Sequence, residues 1–135
     1  MSNIGEAATI WVVDARPEDY IAMLASPSCE GQTFRFFHTA SAALRAAHEV
    51  QPDLWLINMD LPDRGGVELC EMLQSRFSDV PMYLVRDEYD VEAELAARRS
   101  GATMFLCKPA ASQWIAGDGV EGDALGVDEF AVKES

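Results

Sequence analysis

Residues 52–62 read Pro-Asp-Leu-Trp-Leu-Ile-Asn-Met-Asp-Leu-Pro, and this stretch decides the fold. Leu54 to Ile57 are apolar without a break, and the run ends on the polar Asn58. A strand that shows no alternation is one buried on both faces, as in a parallel sheet covered by helices. Leu61-Pro62-Asp63-Arg64-Gly65-Gly66 supplies turn residues beyond it, and Val67, Leu69, Cys70 and Leu73 then mark a helix.

The same pattern repeats on either side. Ile10 to Val13 is an apolar run ended by Asp14, and Pro17 can open a helix reaching about residue 26, with Ile21 and Leu24 as inward candidates. Phe34, Phe36 and Phe37 mark a second strand. Thr39 or Ser41 can cap the next helix, along which Leu44 and Ala47 recur at helical spacing. Pro81 leads into Met82-Tyr83-Leu84-Val85. Asp87 or Asp90 precedes a helix running to about Arg99, which Gly101 terminates. Met104 to Cys107 is the fifth strand, ending at Lys108-Pro109. Only Ala110 to about Ala116 looks helical after it, before Gly117 and Gly119, so the last helix is expected to be short or irregular.

Five strands alternating with about five helices predict an α/β fold, a doubly wound (βα)5 three-layer sandwich around a parallel sheet. Such sheets place functional groups beyond the carboxyl ends of their strands. That edge is expected to collect Asp14, Ala15, Asn58, Arg86, Asp87 and Lys108. The expected organisation is an N-terminal extension (1–8), one domain (9–117) and an acidic tail (118–135) that reads as mobile rather than as a binding device.

The composition narrows the function. The chain has 135 residues, 49% of them apolar, enough for one core. A formal net charge of -13 argues against nucleic acid and anionic membranes as partners. No apolar run reaches the length of a membrane span, and no signal-peptide pattern opens the chain. Cys29, Cys70 and Cys107 are odd in number and widely spaced, so they read as thiols of a reducing cytoplasm. His38 and His48 have no acidic or thiol partner in a ligand pattern.

Four pieces in order, Val12-Val13-Asp14, residues 52–62 with Gly66 behind them, residues 81–85 and residues 101–109, make residues 9 to 116 resemble the receiver domain of bacterial response regulators (CheY-like). The resemblance implies a flavodoxin-like sheet in the order 2-1-3-4-5. Typical receivers take a phosphoryl group from a histidine kinase onto an aspartate ending the third strand. An acidic pair after the first strand helps to hold Mg2+, a Thr or Ser ends the fourth strand, and a Lys precedes a Pro at the end of the fifth.

The match is partial. Asp14 matches the first acid, but Ala15 stands at the second; Asn58 stands at the phosphoacceptor position and Arg86 at the hydroxyl position. Lys108 and Pro109 match, and Phe105 falls at the aromatic switch position. Asp60 lies where the family offers a backbone carbonyl to the metal. The resemblance with these departures implies a degenerate member, for which no catalytic residue, metal or cofactor is expected. An amide is a far poorer nucleophile than a carboxylate, and Mg2+ wants anionic oxygens, so Asn58 and Ala15 remove both requirements. Arg86 is expected to reach Asp14 or Asp60, and Lys108 to approach Asp14 or the Asn58 carbonyl, filling the vacated space with the protein's own cations. The plainer alternatives are that Arg86 is a surface loop residue and that Asp14 serves as a cap.

The implied function is a phosphorylation-independent, non-enzymatic signalling module. It would meet a sensor kinase, an output domain or another regulator through Tyr89, Val91, Leu95, Phe105 and Trp114, with homodimerisation open. Phe105 is as readily plain core as switch, and Trp114 is core plug or interface anchor. Trp11 and Trp55 read as core. Two other functions remain: a Mg2+-dependent phosphoacceptor using Asp14 or Asp60, and a small-ligand domain at the strand-end crevice.

Overall fold

The computed structural model describes residues 8–115. The extension before Ala8 and the acidic tail lie outside the described residues. Five parallel strands, β1 (Thr9–Val13), β2 (Thr33–Phe37), β3 (Leu54–Asn58), β4 (Met82–Arg86) and β5 (Met104–Cys107), form one sheet in the order β2-β1-β3-β4-β5. The expected doubly wound fold and strand order are what the chain adopts.

β3 is the sheet's centre, and all five of its residues are buried. Strand alternation divides its side chains between two cores. On one face Trp11, Val13, Trp55, Ile57, Leu84 and Phe105 pack against α2 (Ala40–Ala47), α3 (Gly66–Arg76) and α4 (Val91–Arg99). On the other Ile10, Val12, Leu54 and Leu56 pack against Tyr20, Met23, Cys29 and Ile115. Each of the large side chains buried this way contributes about 1.5–3 kcal/mol relative to leaving it exposed. Trp11 and Trp55, both expected in the core, meet edge to face with ring centres 5.3 Å apart. Small residues let α2 approach closely: Ala40, Ala43 and Ala47 form its buried stripe.

Helix ends follow local chemistry. Thr39 Oγ1 accepts from the Ala42 N–H at 3.1 Å, and Asp90 accepts from the Ala93 N–H at 3.2 Å. Asp63, from the loop after β3, adds a second cap to α2 by accepting from the Ala40 and Ser41 N–H groups at 2.9 and 3.0 Å. These bonds, the Ala40 one first, hold the Asp63 carboxyl down at about 2. Gly101 takes φ of +93° beyond α4, the left-handed position that a glycine fills without strain. At Gly66 the constraint is space. A Cβ there would lie 2.1 Å from the backbone oxygen of Asn58.

One local expectation is corrected. The segment after β1 opens as a 3-10 turn (Pro17–Tyr20) and only then becomes α1 (Ile21–Leu24). Three residues per turn instead of 3.6 shifts the inward face, so Tyr20 and Met23 are buried while Ile21 is 61% exposed and Leu24 is half-buried. After β5 the described chain makes a single 3-10 turn, Ser112–Trp114, in keeping with the short or irregular last element expected there.

Candidate functional site

The carboxyl ends of β1, β3 and β5 bring Asp14, Asn58 and Lys108 together. Asp14 is 2% exposed and Asn58 5%, both among the few polar side chains in the interior. A buried carboxylate is tolerable only when donors surround it. Asp14 has four. Its Oδ1 accepts from the Arg16 N–H at 2.9 Å. Its Oδ2 accepts from Tyr20 Oη at 2.7 Å and from Asn58 Nδ2 at 3.0 Å, and lies 3.0 Å from Lys108 Nζ.

Asn58 uses both ends of its amide. The Nδ2 group donates to Asp14, and Oδ1 accepts from the Asp60 N–H at 2.7 Å. The orientation follows from these neighbours: the Asp14 oxygen needs a donor, and the Asp60 N–H needs an acceptor. Asp60 takes part through its backbone alone; the residue is exposed. Ala15 is exposed and brings no oxygen-bearing side chain.

Around this centre lies a second shell of charge. Lys108 Nζ donates to Asp19 Oδ2 at 2.6 Å and lies 3.4 Å from Asp87 Oδ1, so three carboxylates face one ammonium. Its face toward Tyr20 completes the enclosure, 5.4 Å from the ring centre. Arg16 bridges the outer pair, with Nη2 2.6 Å from Asp87 Oδ2 and Nε 3.3 Å from Asp19 Oδ2. Burial alone would lower the Lys108 pKa, but its bonds to Asp19 and Asp14 prevail and raise it. The Lys108 bond holds the Asp19 carboxyl below its ordinary value, against a smaller opposing effect of desolvation. Burial first, and the Asp14 charge second, push the Tyr20 hydroxyl far up, so it is a donor at any ordinary pH.

Arg86 does not join. It reaches neither Asp14 nor Asp60, and its Nε is buried with no hydrogen-bond partner. The pleat explains the correction. Asp14, Asn58 and Lys108 continue the alternation of Val12, Leu56 and Leu106, whereas Arg86 continues that of Met82 and Leu84, which point to the opposite core. The next residue, Asp87, regains the correct side and reaches Lys108 and Arg16. Lys108, for its part, meets Asp14 rather than the Asn58 carbonyl.

Sequence reading missed Arg16, Asp19 and Tyr20 as members of the cluster. Asp19 and Tyr20 enter through the 3-10 turn, and no spacing in the sequence marks that turn apart from the start of an ordinary helix. Pro17 was the one available signal.

A divalent cation does not fit this donor set. Mg2+ needs several anionic oxygens in octahedral array. Here Asp14 has both oxygens covered by donors, residue 58 turns an NH2 group toward it, and a lysine ammonium already sits among the carboxylates. Among the described residues no group of three or more His, Cys, Asp or Glu stands in a metal-holding arrangement.

The other expected site residues lie along α4 and β5. Phe105 is buried and meets Tyr89 at 6.1 Å between ring centres, inclined by 64°. Tyr89 donates its hydroxyl to Glu94, whose other oxygen accepts from Arg98 at 3.0 Å. Val91 and Leu95 are exposed, at 53% and 47%. Trp114 is half-buried against the Tyr20–Ile115 core, a packing role. No helix among the described residues is long and apolar enough to cross a membrane.

Comparison with known proteins agrees with this fold. The chain is 27% identical over 104 residues to the DNA-binding transcriptional regulator NtrC of Proteus hauseri, covering 77% of this chain and 22% of that protein. It is 28% identical over 107 residues to the probable transcriptional regulatory protein TcrX of Mycobacterium tuberculosis, covering 78% and 45%. The chain thus spans less than half the length of these curated relatives. Among solved structures, it is similar to the receiver domain protein (CheY-like) of Methanospirillum hungatei, with a TM-score of 0.72 at 22% identity over 96% of this chain and all of that one. The signal receiver domain of an HD domain-containing protein from Pseudomonas fluorescens gives 0.72 at 17%, covering 99% and 96%. The family model for the response regulator receiver domain matches residues 10–116, and the chain belongs to that family.

Proposed function

We propose that this receiver domain signals by protein–protein contact without accepting a phosphoryl group, as a module of a two-component-type pathway. The observation that carries the reading is Asn58: its amide donates to Asp14 and accepts from the Asp60 N–H, a pair of roles that a carboxylate cannot fill. An amide oxygen in that setting is no nucleophile toward phosphorus. Lys108 and Arg16 already offset two of the three surrounding carboxylate charges, those of Asp14, Asp19 and Asp87, which weakens the pull of the site on a metal.

The contact surface in this reading is α4 with β5, where Val91 and Leu95 present apolar area beside the Tyr89–Phe105 pair. Its partner is a sensor kinase, an output domain or another regulator, or a second copy of this domain.

The test is amide NMR of the domain titrated with Mg2+ and then with beryllofluoride, a phosphoryl mimic. Unchanged signals at Asn58, Asp60 and Lys108 are expected. Saturable shifts that spread from Asn58 to Phe105 and α4 would overturn the reading. Labelling by acetyl phosphate that disappears when Asp14 or Asp60 is replaced would establish a phosphoacceptor instead.

A further inference from the structure

A groove of about 540 Å3 runs between β2 and the outer flank of α2, at the opposite edge of the sheet from β5. Phe37, Ala42, Ala46 and Val50 line it with apolar surface, and Val50 is 54% exposed. Arg35 and Arg45, both exposed, bring two guanidinium groups to the same groove. Arg35 is positioned by aromatic faces, 4.8 Å from the Phe37 ring centre and 5.2 Å from that of Trp11. Neither arginine has an ion-pair partner among the described residues, although the chain carries 23 acidic side chains and Glu49 itself lines the groove.

β2 is also the last strand of the described sheet on this side. The side chains of Phe34 and Phe36 pack on the other face, Phe36 against Tyr20, so what these residues offer at the edge is backbone. The Thr33 N–H donates to the Ala8 oxygen and the Phe37 oxygen accepts from the Asp14 N–H. Residues 33, 35 and 37 therefore bond toward β1, and alternation turns the N–H and C=O groups of Phe34 and Phe36 outward. A helix laid in the groove leaves those groups unmatched, whereas a strand laid beside β2 pairs with them.

We infer that this edge docks an extended acidic segment of another protein, added as a strand alongside β2. Residues two apart in a strand share a face, so the recognised pattern is a carboxylate and an apolar side chain at that spacing. The carboxylate meets the arginines, and the apolar side chain covers Ala46 and Val50. A basic segment would set further cations against Arg35 and Arg45. The net charge of -13 opposes an acidic partner at long range only. At physiological ionic strength, screening over about 8 Å leaves the groove's own charges, two arginines against Glu49, to decide. This surface is separate from the α4 and β5 face, and the inference stands independently of the contact proposed there.

The test titrates the full-length chain with a synthetic peptide, acetyl-Thr-Asp-Thr-Val-Thr-Asp-Thr-amide, and follows the amide NMR signals. Its Asp, Val and Asp side chains share one face. Saturable shifts are expected at Phe34, Phe36 and Val50, with Asn58, Val91 and Leu95 unmoved. Combining Arg35→Glu with Arg45→Glu is expected to weaken the acidic peptide about tenfold, a few-fold for each exposed ion pair lost. The same double variant is expected to gain affinity for the peptide with Lys in place of both Asp residues. Arg45→Ala, an exposed change on α2, gives a milder loss without touching the sheet. N-methylation of the peptide's alternate amides is expected to abolish binding by removing the donors that pair with β2. Groove signals unmoved by the acidic peptide at millimolar concentration, or moved equally by the lysine peptide, would overturn the inference. Shifts that grow with protein concentration in the absence of peptide would overturn it in favour of a second copy as the occupant.

Discussion

Arg16 and Asp87, 71 residues apart in the chain, meet at 2.6 Å between Nη2 and Oδ2 and tie the loop after β1 to the loop after β4. Both side chains are about half exposed, so the pair contributes little to global stability. Its effect is local. Arg16→Ala is expected to leave the thermal midpoint nearly unchanged and to accelerate amide hydrogen exchange in both loops, at Arg16 to Tyr20 and at Asp87 to Tyr89. Acceleration confined to the first loop would show that the two are not linked.

Asn58→Asp places a second carboxyl about 3 Å from Asp14 in the interior. Burial and the like charge raise the pKa of the new group in the folded state, so the folded protein holds more protons than the unfolded one. Stability is then full below the ordinary carboxylate range and falls as pH rises through it. The expected loss at neutral pH is about 1–3 kcal/mol by urea denaturation, larger than at pH 4. Asn58→Ala, which leaves the Asp60 N–H without its acceptor, is expected to lose stability with little dependence on pH.

Removing the central cation has a sharper consequence. Lys108→Met leaves Asp14 buried against three uncharged donors, and breaking one side of such a pair costs about 3–5 kcal/mol. In the wild type, the Lys108 pKa is raised above its ordinary 10.5, so the stabilisation is present below that value and is lost as pH rises through the folded-state value. A denaturation series carried from about pH 9 to about pH 12 is expected to show a steeper alkaline loss in the wild type than in Lys108→Met, where the loss from the raised Tyr20 hydroxyl remains.

Asp63 governs the acid limb. Its carboxyl titrates at about 2 when folded, against an ordinary 3.8, because it accepts the N-terminal N–H groups of α2. That stabilisation is present above the ordinary value and disappears as pH falls from about 4 to about 2. Asp63→Asn is expected to flatten the acid side of the stability profile and to weaken α2 at neutral pH. An unchanged acid limb would assign it to other carboxylates.

The fold was legible because the strands announce themselves. Leu54 to Ile57 and Met104 to Cys107 have no polar interruption, and each strand is followed by a turn, so element type and order follow from periodicity. The shared pleat of the parallel strands also places Asp14, Asn58 and Lys108 together. Arg86 was misplaced because its position along the sheet edge was considered without its parity: one residue's shift along a strand exchanges faces. Ile21 was misplaced for a related reason, since a 3-10 turn and an α-helix starting at the same proline have different phases. Arg16, Asp19 and Tyr20 were invisible because their role depends on that phase and on Lys108, 89 residues beyond Asp19.

Gly66 gives the site its mechanical character. Its Cα side lies against the backbone oxygen of Asn58 with no room for a methyl group, and its N–H is bonded to the Met59 oxygen at 3.0 Å. The end of β3 and the first turn of α3 are thereby keyed to each other. A partner that displaces α3 is expected to disturb Asn58, and a rearrangement around Asn58 is expected to shift the outer surface of that helix.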